Sequence, residues 1–130
     1  MPDDVKVVNA GLAIITNRIK GSGTEPKYIQ WGKSTVAVSS TQTALLNPGT
    51  EARVLATTTR IQTTVAYDTY QAVGTIICGA TSGAAITEAA LFDATSGGNM
   101  FLRGKFAVVN LNQNEGIQFT IKTVFADSST

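Results

Sequence analysis

The stretch Ile86–Val109, ITEAALFDATSGGNMFLRGKFAVV, constrains the fold more than any other part of the chain. Ile86 to Ala94 is an apolar run, ending in Leu91 and Phe92, that carries two carboxylates, Glu88 and Asp93. Thr95-Ser96-Gly97-Gly98-Asn99 is turn chemistry throughout. Gly97 and Gly98 reach positive φ without steric cost, and Asn99 tolerates it. Beyond the turn the chain alternates. Met100, Leu102, Phe106 and Val108 fall on one parity, with Gly104 between them; Phe101, Arg103, Lys105 and Ala107 fall on the other. Alternation with one charged side is the pattern of a half-buried strand. The stretch therefore predicts a β-hairpin with a five-residue tip, its apolar face, Phe92 and Phe106 included, laid on a core that other strands supply.

The rest of the chain supplies them. Pro26 to Gly32 reads as a strand. Arg60 to Tyr67 alternates, with Ile61, Thr63, Val65 and Tyr67 on one side, and Asp68 breaks the run. Thr69 to Cys78 is apolar enough for a central strand, and Ile117, Phe119, Ile121 and Phe125 share one phase of a last strand. Lys33 to Thr50 is rich in Ser and Thr and closes on the turn signal Asn47-Pro48-Gly49. One helix is expected, from about residue 9 to 20. Asn9 would cap it, Leu12, Ile15 and Ile19 would form its apolar face, Arg18 and Lys20 suit the negative end of its dipole, and Gly21 would stop it. Several short strands separated by turns predict a mainly β fold: an antiparallel, jelly-roll-like β-sandwich with one short N-terminal helix. At 130 residues it is a single domain. Residues 1 to about 8 read as a short arm, and Asp127 to Thr130 as a polar tail. Either Val5, Val7 and Val8 dock the arm on a partner, or the terminus is frayed and Val7 and Val8 merely staple the helix.

Composition removes whole classes of function. The net charge is +1, which gives no electrostatic reason to expect nucleic acid or an anionic membrane. No apolar run approaches the ~18 residues of a membrane span. The acidic start lacks the basic region of a signal peptide, so the chain is expected to stay in the cytoplasm where it is made. Only 15% of residues are charged, against ~25% in ordinary domains, which suits close subunit packing. The chain has no histidine and one cysteine, Cys78. That removes Ser-His and Cys-His nucleophile pairs, an intrachain disulfide and a four-cysteine zinc site. No cofactor, metal or small-molecule substrate is expected.

Local motifs point the same way. Gly32-Lys33-Ser34 matches the end of a phosphate-binding loop, but Lys27 stands where that loop needs its first glycine. Glu88 and Asp93, five apart on an extended run, point to opposite faces, unlike a glycosidase pair. They read instead as hairpin residues bonded to backbone or to Arg103. Cys78 sits in apolar context and reads as core. Tyr28 and Trp31 read as core or subunit-contact side chains, with a sugar-stacking platform as the alternative.

Two stretches resemble a known group. Asn9-Ala10-Gly11-Leu12-Ala13-Ile14-Ile15, closing on Lys20-Gly21, with Trp31-Gly32 after it, resembles the opening of tailed-bacteriophage collar and fibre proteins. Ile86-Thr87-Glu88-Ala89-Ala90-Leu91-Phe92-Asp93, a glycine turn, then Met100-Phe101-Leu102-Arg103, resembles their core hairpin, and that of small phage virion proteins that decorate capsids. Ala90 stands where the motif usually has glycine. The resemblance covers residues 9 to 125. It implies a non-enzymatic virion structural protein. Because collar and fibre proteins continue far beyond this module, it implies above all a capsid decoration (cement) protein that binds the major capsid protein shell as a homotrimer. Val5, Val7, Val8, Tyr28 and Trp31 are the candidate capsid or subunit contacts. Glu88, Leu91, Phe92, Asp93, Gly97, Gly98, Phe101 and Arg103 form the structural hairpin. A tail collar, fibre or baseplate attachment protein and a carbohydrate-binding module are the alternatives.

Overall fold

Strands Val5–Val7 (β1), Tyr28–Gly32 (β2), Val54–Leu55 (β3), Thr57–Ile61 (β4), Thr69–Ile77 (β5), Ala84–Phe92 (β6), Met100–Leu111 (β7) and Gly116–Val124 (β8), with helix Asn9–Lys20 (α1), build an antiparallel β-sandwich. The structure, a computed structural model, describes residues 4–126, so the polar tail 127–130 lies outside the described residues. A five-stranded sheet runs β1-β7-β6-β2-β3, and a three-stranded sheet runs β4-β5-β8. Between them pack Ile29, Trp31, Ala72, Ile76, Ile86, Leu91 and Leu102. A second cluster, Val8, Leu45, Ala90, Phe92 and Met100, lies on the other face of the large sheet, under the segment from Lys33 to Asn47. The β6–β7 hairpin is thus covered on both sides. That is why its residues from Ile86 to Phe92 and from Met100 to Arg103 are all buried.

The expected parity of β7 fails for an identifiable reason. Leu91 pairs with Leu102 but Phe92 pairs with Met100, so Phe101 is an extra residue in a bulge. Met100 then joins the second cluster while Leu102 joins the inter-sheet core. A second irregularity sets Phe106, Ala107 and Val108 against Thr87 alone. Phe106 is only half-buried, against Phe119, and Val108 is exposed.

Four further expectations are corrected. The helix has its expected span, but Val8 occupies the cap position without a side-chain bond, and the Asn9 N–H donates to the Ser40 carbonyl. Its buried residues are Gly11 and Ile14; Leu12 and Ile19 are exposed. Gly11 sets that face, because any Cβ there would strike the Phe101 carbonyl, so only a glycine lets helix and strand touch at this point. Val5–Val7 is no loose arm within the described residues: it pairs with Leu102–Gly104 as an edge strand. Arg60 to Tyr67 is a strand only as far as Ile61. Beyond it the Asp68 carboxylate accepts the backbone N–H groups of Thr63, Thr64 and Val65, and Tyr67 takes φ 61°, so a side-chain turn replaces the ladder.

Candidate functional site

The chemistry-bearing side chains of the hairpin meet on the face covered by the 33–47 segment. Lys105, not Arg103, stands opposite Glu88 in the β6–β7 register, and Arg103 stands opposite Ala90. Arg103 therefore reaches Glu88 diagonally, on the same face. Its Nε donates to Glu88 Oε1 at 2.8 Å, and both side chains are 0% exposed. The rest of the guanidinium holds the covering segment. Nη2 donates to the Val36 carbonyl at 2.9 Å and Nη1 to Gln42 Oε1 at 3.2 Å. Glu88 Oε2 accepts the Ser34 N–H at 2.9 Å, and the Thr87 hydroxyl donates to the Ser34 carbonyl at 2.8 Å. Gly32 admits this arrangement, since a Cβ there would overlap the Glu88 carboxylate. A loop with no ladder of its own is thereby clasped to the sheet by one buried ion pair. The Ser34 N–H, which a phosphate loop would aim at an anion, is already taken.

The hairpin tip is closed separately. The Asp93 carboxylate accepts the Asn99 N–H at 2.7 Å, and Gly97 and Gly98 take φ of 59° and 67°. From behind, the Arg53 guanidinium lies 3.6 Å from the centroid of the Phe92 ring and donates to the Ala94 and Gly97 carbonyls. Glu88 and Asp93 serve different parts of the hairpin, the covered face and the tip, and do not meet as a pair. Arg53 carried no sequence signal, because a lone cation in a loop looks like any solvated charge.

The candidate contact residues divide. Val8 and Trp31 are 0% exposed and offer nothing to a partner. The Trp31 indole N–H donates to Glu51 Oε1 at 2.8 Å, and its ring stands edge-on to Phe119. Burial pushes the Glu51 carboxyl up, but the Gly79 N–H and the Trp31 indole outweigh it and hold it below its ordinary value. Tyr28 is half-buried against Phe92 and its cluster. Val7 is half-buried, and Val5 remains 42% exposed on the β1 edge. Cys78 is buried and unpaired.

Outside the clasp, the surface is apolar in several places. Leu12, Ile19, Leu55, Val65, Tyr67, Val108 and Phe125 are all exposed. An apolar cleft of about 350 Å3 lies between α1 and the ends of β5 and β7, lined by Ile14, Ile15, Tyr70 and Phe101 among others. The Tyr70 hydroxyl at its wall shares its one proton between Glu25 Oε2 at 2.9 Å and the Pro26 carbonyl at 2.6 Å; burial, then Glu25, pushes the phenol above its usual range. No group of three or more potential metal ligands exists among the described residues. No helix among them is long and apolar enough to cross a membrane. Comparison with protein-family models, with curated proteins and with solved structures finds no match.

Proposed function

We propose that this chain is a non-enzymatic structural protein of a tailed-bacteriophage virion: a decoration (cement) protein that binds the outer face of the major capsid protein shell as a homotrimer. It would be made in the bacterial cytoplasm and reside on the capsid surface. The resemblance of Asn9–Ile15 and Ile86–Arg103 to such proteins motivates the reading. The observation that carries it is where the ionisable groups are spent. Glu88, Arg103, Asp68, Asp93 and Glu51 each hold a loop to a strand or close a turn. The outside is left with few charges and scattered apolar side chains, a surface suited to packing against other subunits. Burial of Trp31 takes one of the two rings, Trp31 and Tyr28, out of the platform that a sugar-binding module would use. A collar, fibre or baseplate role is the second reading, favoured by the first of the two resembling stretches.

The test is to mix the purified protein with expanded shells of the cognate major capsid protein, then sediment and image them. The expected result is saturable co-sedimentation, extra density on the shell exterior at three-fold positions, and a trimer mass by light scattering. Absence of binding to shells together with density at the tail of intact virions would replace this reading by the collar or fibre role.

A further inference from the structure

The two sheets differ in width by two strands, and the missing width is all on one side. Gly74 of β5 packs against Ile29 and Val54, which places β5 over β2 and β3. Phe119 of β8 meets Trp31 of β2 and Phe106 of β7, which places β8 over the middle of the larger sheet. β7 and β1 therefore run out beyond β8 with no strand above them. A cleft of about 410 Å3 opens there. Its floor is Val5, Leu102, Gly104 and Phe106, and its wall is Phe119 and Ile121. Neighbouring strands lie ~4.8 Å apart, so the space beside β8 is the place of one further strand.

The backbone of β8 is prepared for it. Glu115 accepts a hydrogen bond from Cys78, and Phe125 donates one to Asp68, so odd-numbered residues face β5. The register between β5 and β8 is unbroken, hence Gly116, Gln118, Thr120, Lys122 and Val124 turn their N–H and C=O groups outward. Among the described residues β8 pairs with β5 alone. Edge strands are ordinarily blunted by proline, bulges or several charges; this nine-residue edge has no proline, no bulge and one charge, Lys122.

We propose that the β8 edge and the apolar floor beneath it accept an extended segment of a partner protein, added as the fourth strand of the smaller sheet. The segment has apolar residues at alternate positions to meet Val5 and Phe106, and neutral or acidic residues between them to suit Lys122. A second copy does not fit. Two β8 edges brought together would drive the overhanging β7 and β1 of each copy into the other's. The other edge strands of this chain, at three, two and five residues, leave much of the β8 edge unpaired, and the stretch of β7 that runs past β1 is broken by the irregularity at Phe106–Val108. Strand addition of this kind takes affinity from the main chain and specificity from alternate side chains. It stands on the edge and the cleft, independently of the virion reading.

Amide hydrogen exchange read by NMR, with a nine-residue peptide alternating valine with threonine and glutamate as the probe, tests it. In the free protein the amides of Gln118, Thr120 and Lys122 should exchange far faster than those of Phe119 and Ile121, and saturating peptide should slow them. Thr120→Pro removes an outward N–H and leaves the β5 ladder intact. It should keep the fold and weaken peptide binding by about ten-fold or more. The same peptide N-methylated at alternate residues should not bind the wild-type protein, a control independent of any variant. Outward amides already protected without peptide would overturn the proposal, in favour of a second copy if the protection rises with concentration and of the chain's own ends if it does not. Unchanged binding by a folded Thr120→Pro, or no saturable binding at millimolar peptide, would also overturn it.

Discussion

Deleting the Arg103 guanidinium should cost more stability than any other single polar change in this fold. Arg103→Met keeps an unbranched stem and removes the charge. Three hydrogen bonds go with it: to Glu88 at 2.8 Å, to the Val36 carbonyl at 2.9 Å and to Gln42 at 3.2 Å. The Glu88 carboxylate, 0% exposed, keeps the Ser34 N–H as its remaining partner. Leaving one member of a buried pair uncompensated costs ~3–5 kcal/mol. Against the ~5–15 kcal/mol of a typical domain, that is about a fifth or more of the total. For a chain this long it is a fall of roughly 10–20 °C in Tm. Glu88→Met combined with Arg103→Met should cost much less than the sum of the single changes, because both charges then leave. The Ser34 N–H and Val36 carbonyl stay behind, each at ~1–3 kcal/mol if it remains dry, so the double variant should sit about 1–3 kcal/mol below wild type once the loop rehydrates. Urea unfolding of all four members of the cycle, followed by circular dichroism, measures this. A loss below ~1 kcal/mol for Arg103→Met, or strict additivity in the double variant, would refute the reasoning.

Phe92→Ala should cost ~3–5 kcal/mol, since the ring is buried beneath Arg53, whereas Phe106→Ala should cost about 1–2 kcal/mol because that ring is half-exposed. Equal losses in urea would mean that Phe106 is as deeply buried as Phe92, against the irregularity that sets Phe106–Val108 opposite Thr87. The N–H of Thr63 first, then those of Val65 and Thr64, hold the Asp68 carboxyl far below the usual carboxylate range. An unfolded aspartate titrates near ~3.9, so acid protonates the unfolded chain first. The stabilisation is complete at neutral pH and drains away as pH falls below about 4 toward the folded value. Asp68→Asn should be less stable at pH 7 and lose less on acidification; parallel pH dependence of the urea midpoints in the two proteins would contradict the assignment.

The hairpin was legible because its signals are local. Apolar run, glycine turn and alternation all lie within Ile86–Val109, and Arg103 was one of the partners the residue types allowed Glu88, although it is the bulge at Phe101 that turns Arg103 onto the Glu88 face. The sandwich followed from the spacing of turns. What escaped the sequence depends on tertiary packing. One extra residue at Phe101 reverses the phase of β7, and no periodicity shows where a bulge falls. Leu12 and Ile19 form as good an apolar stripe as Gly11 and Ile14, yet Gly11 wins because close approach to the Phe101 carbonyl outweighs side-chain hydrophobicity. Asp68 overrides a clean alternation with three hydrogen bonds to one carboxylate. The 33–47 segment carries no ladder pattern, and its order comes from Arg103, far away along the chain.

That distance has a consequence for how the protein is made. The Ser34 N–H waits for a carboxylate 54 residues downstream, and the Val36 carbonyl for a guanidinium 67 residues downstream. At a synthesis rate of ~5–20 residues per second, Val36 is complete roughly 3–13 s before Arg103 exists. During that interval the segment has no fold to join, and neither do β2 and the loop's own Val36, Val38, Leu45 and Leu46. Its run of serines and threonines then keeps a chain in waiting polar until the hairpin emerges to bury Leu45; Val36 and Leu46 stay on the surface, and Val38 half-buried, even in the finished fold. Replacing the exposed Thr35 and Thr43 with larger apolar residues would leave the finished fold little changed and make the nascent one prone to aggregate.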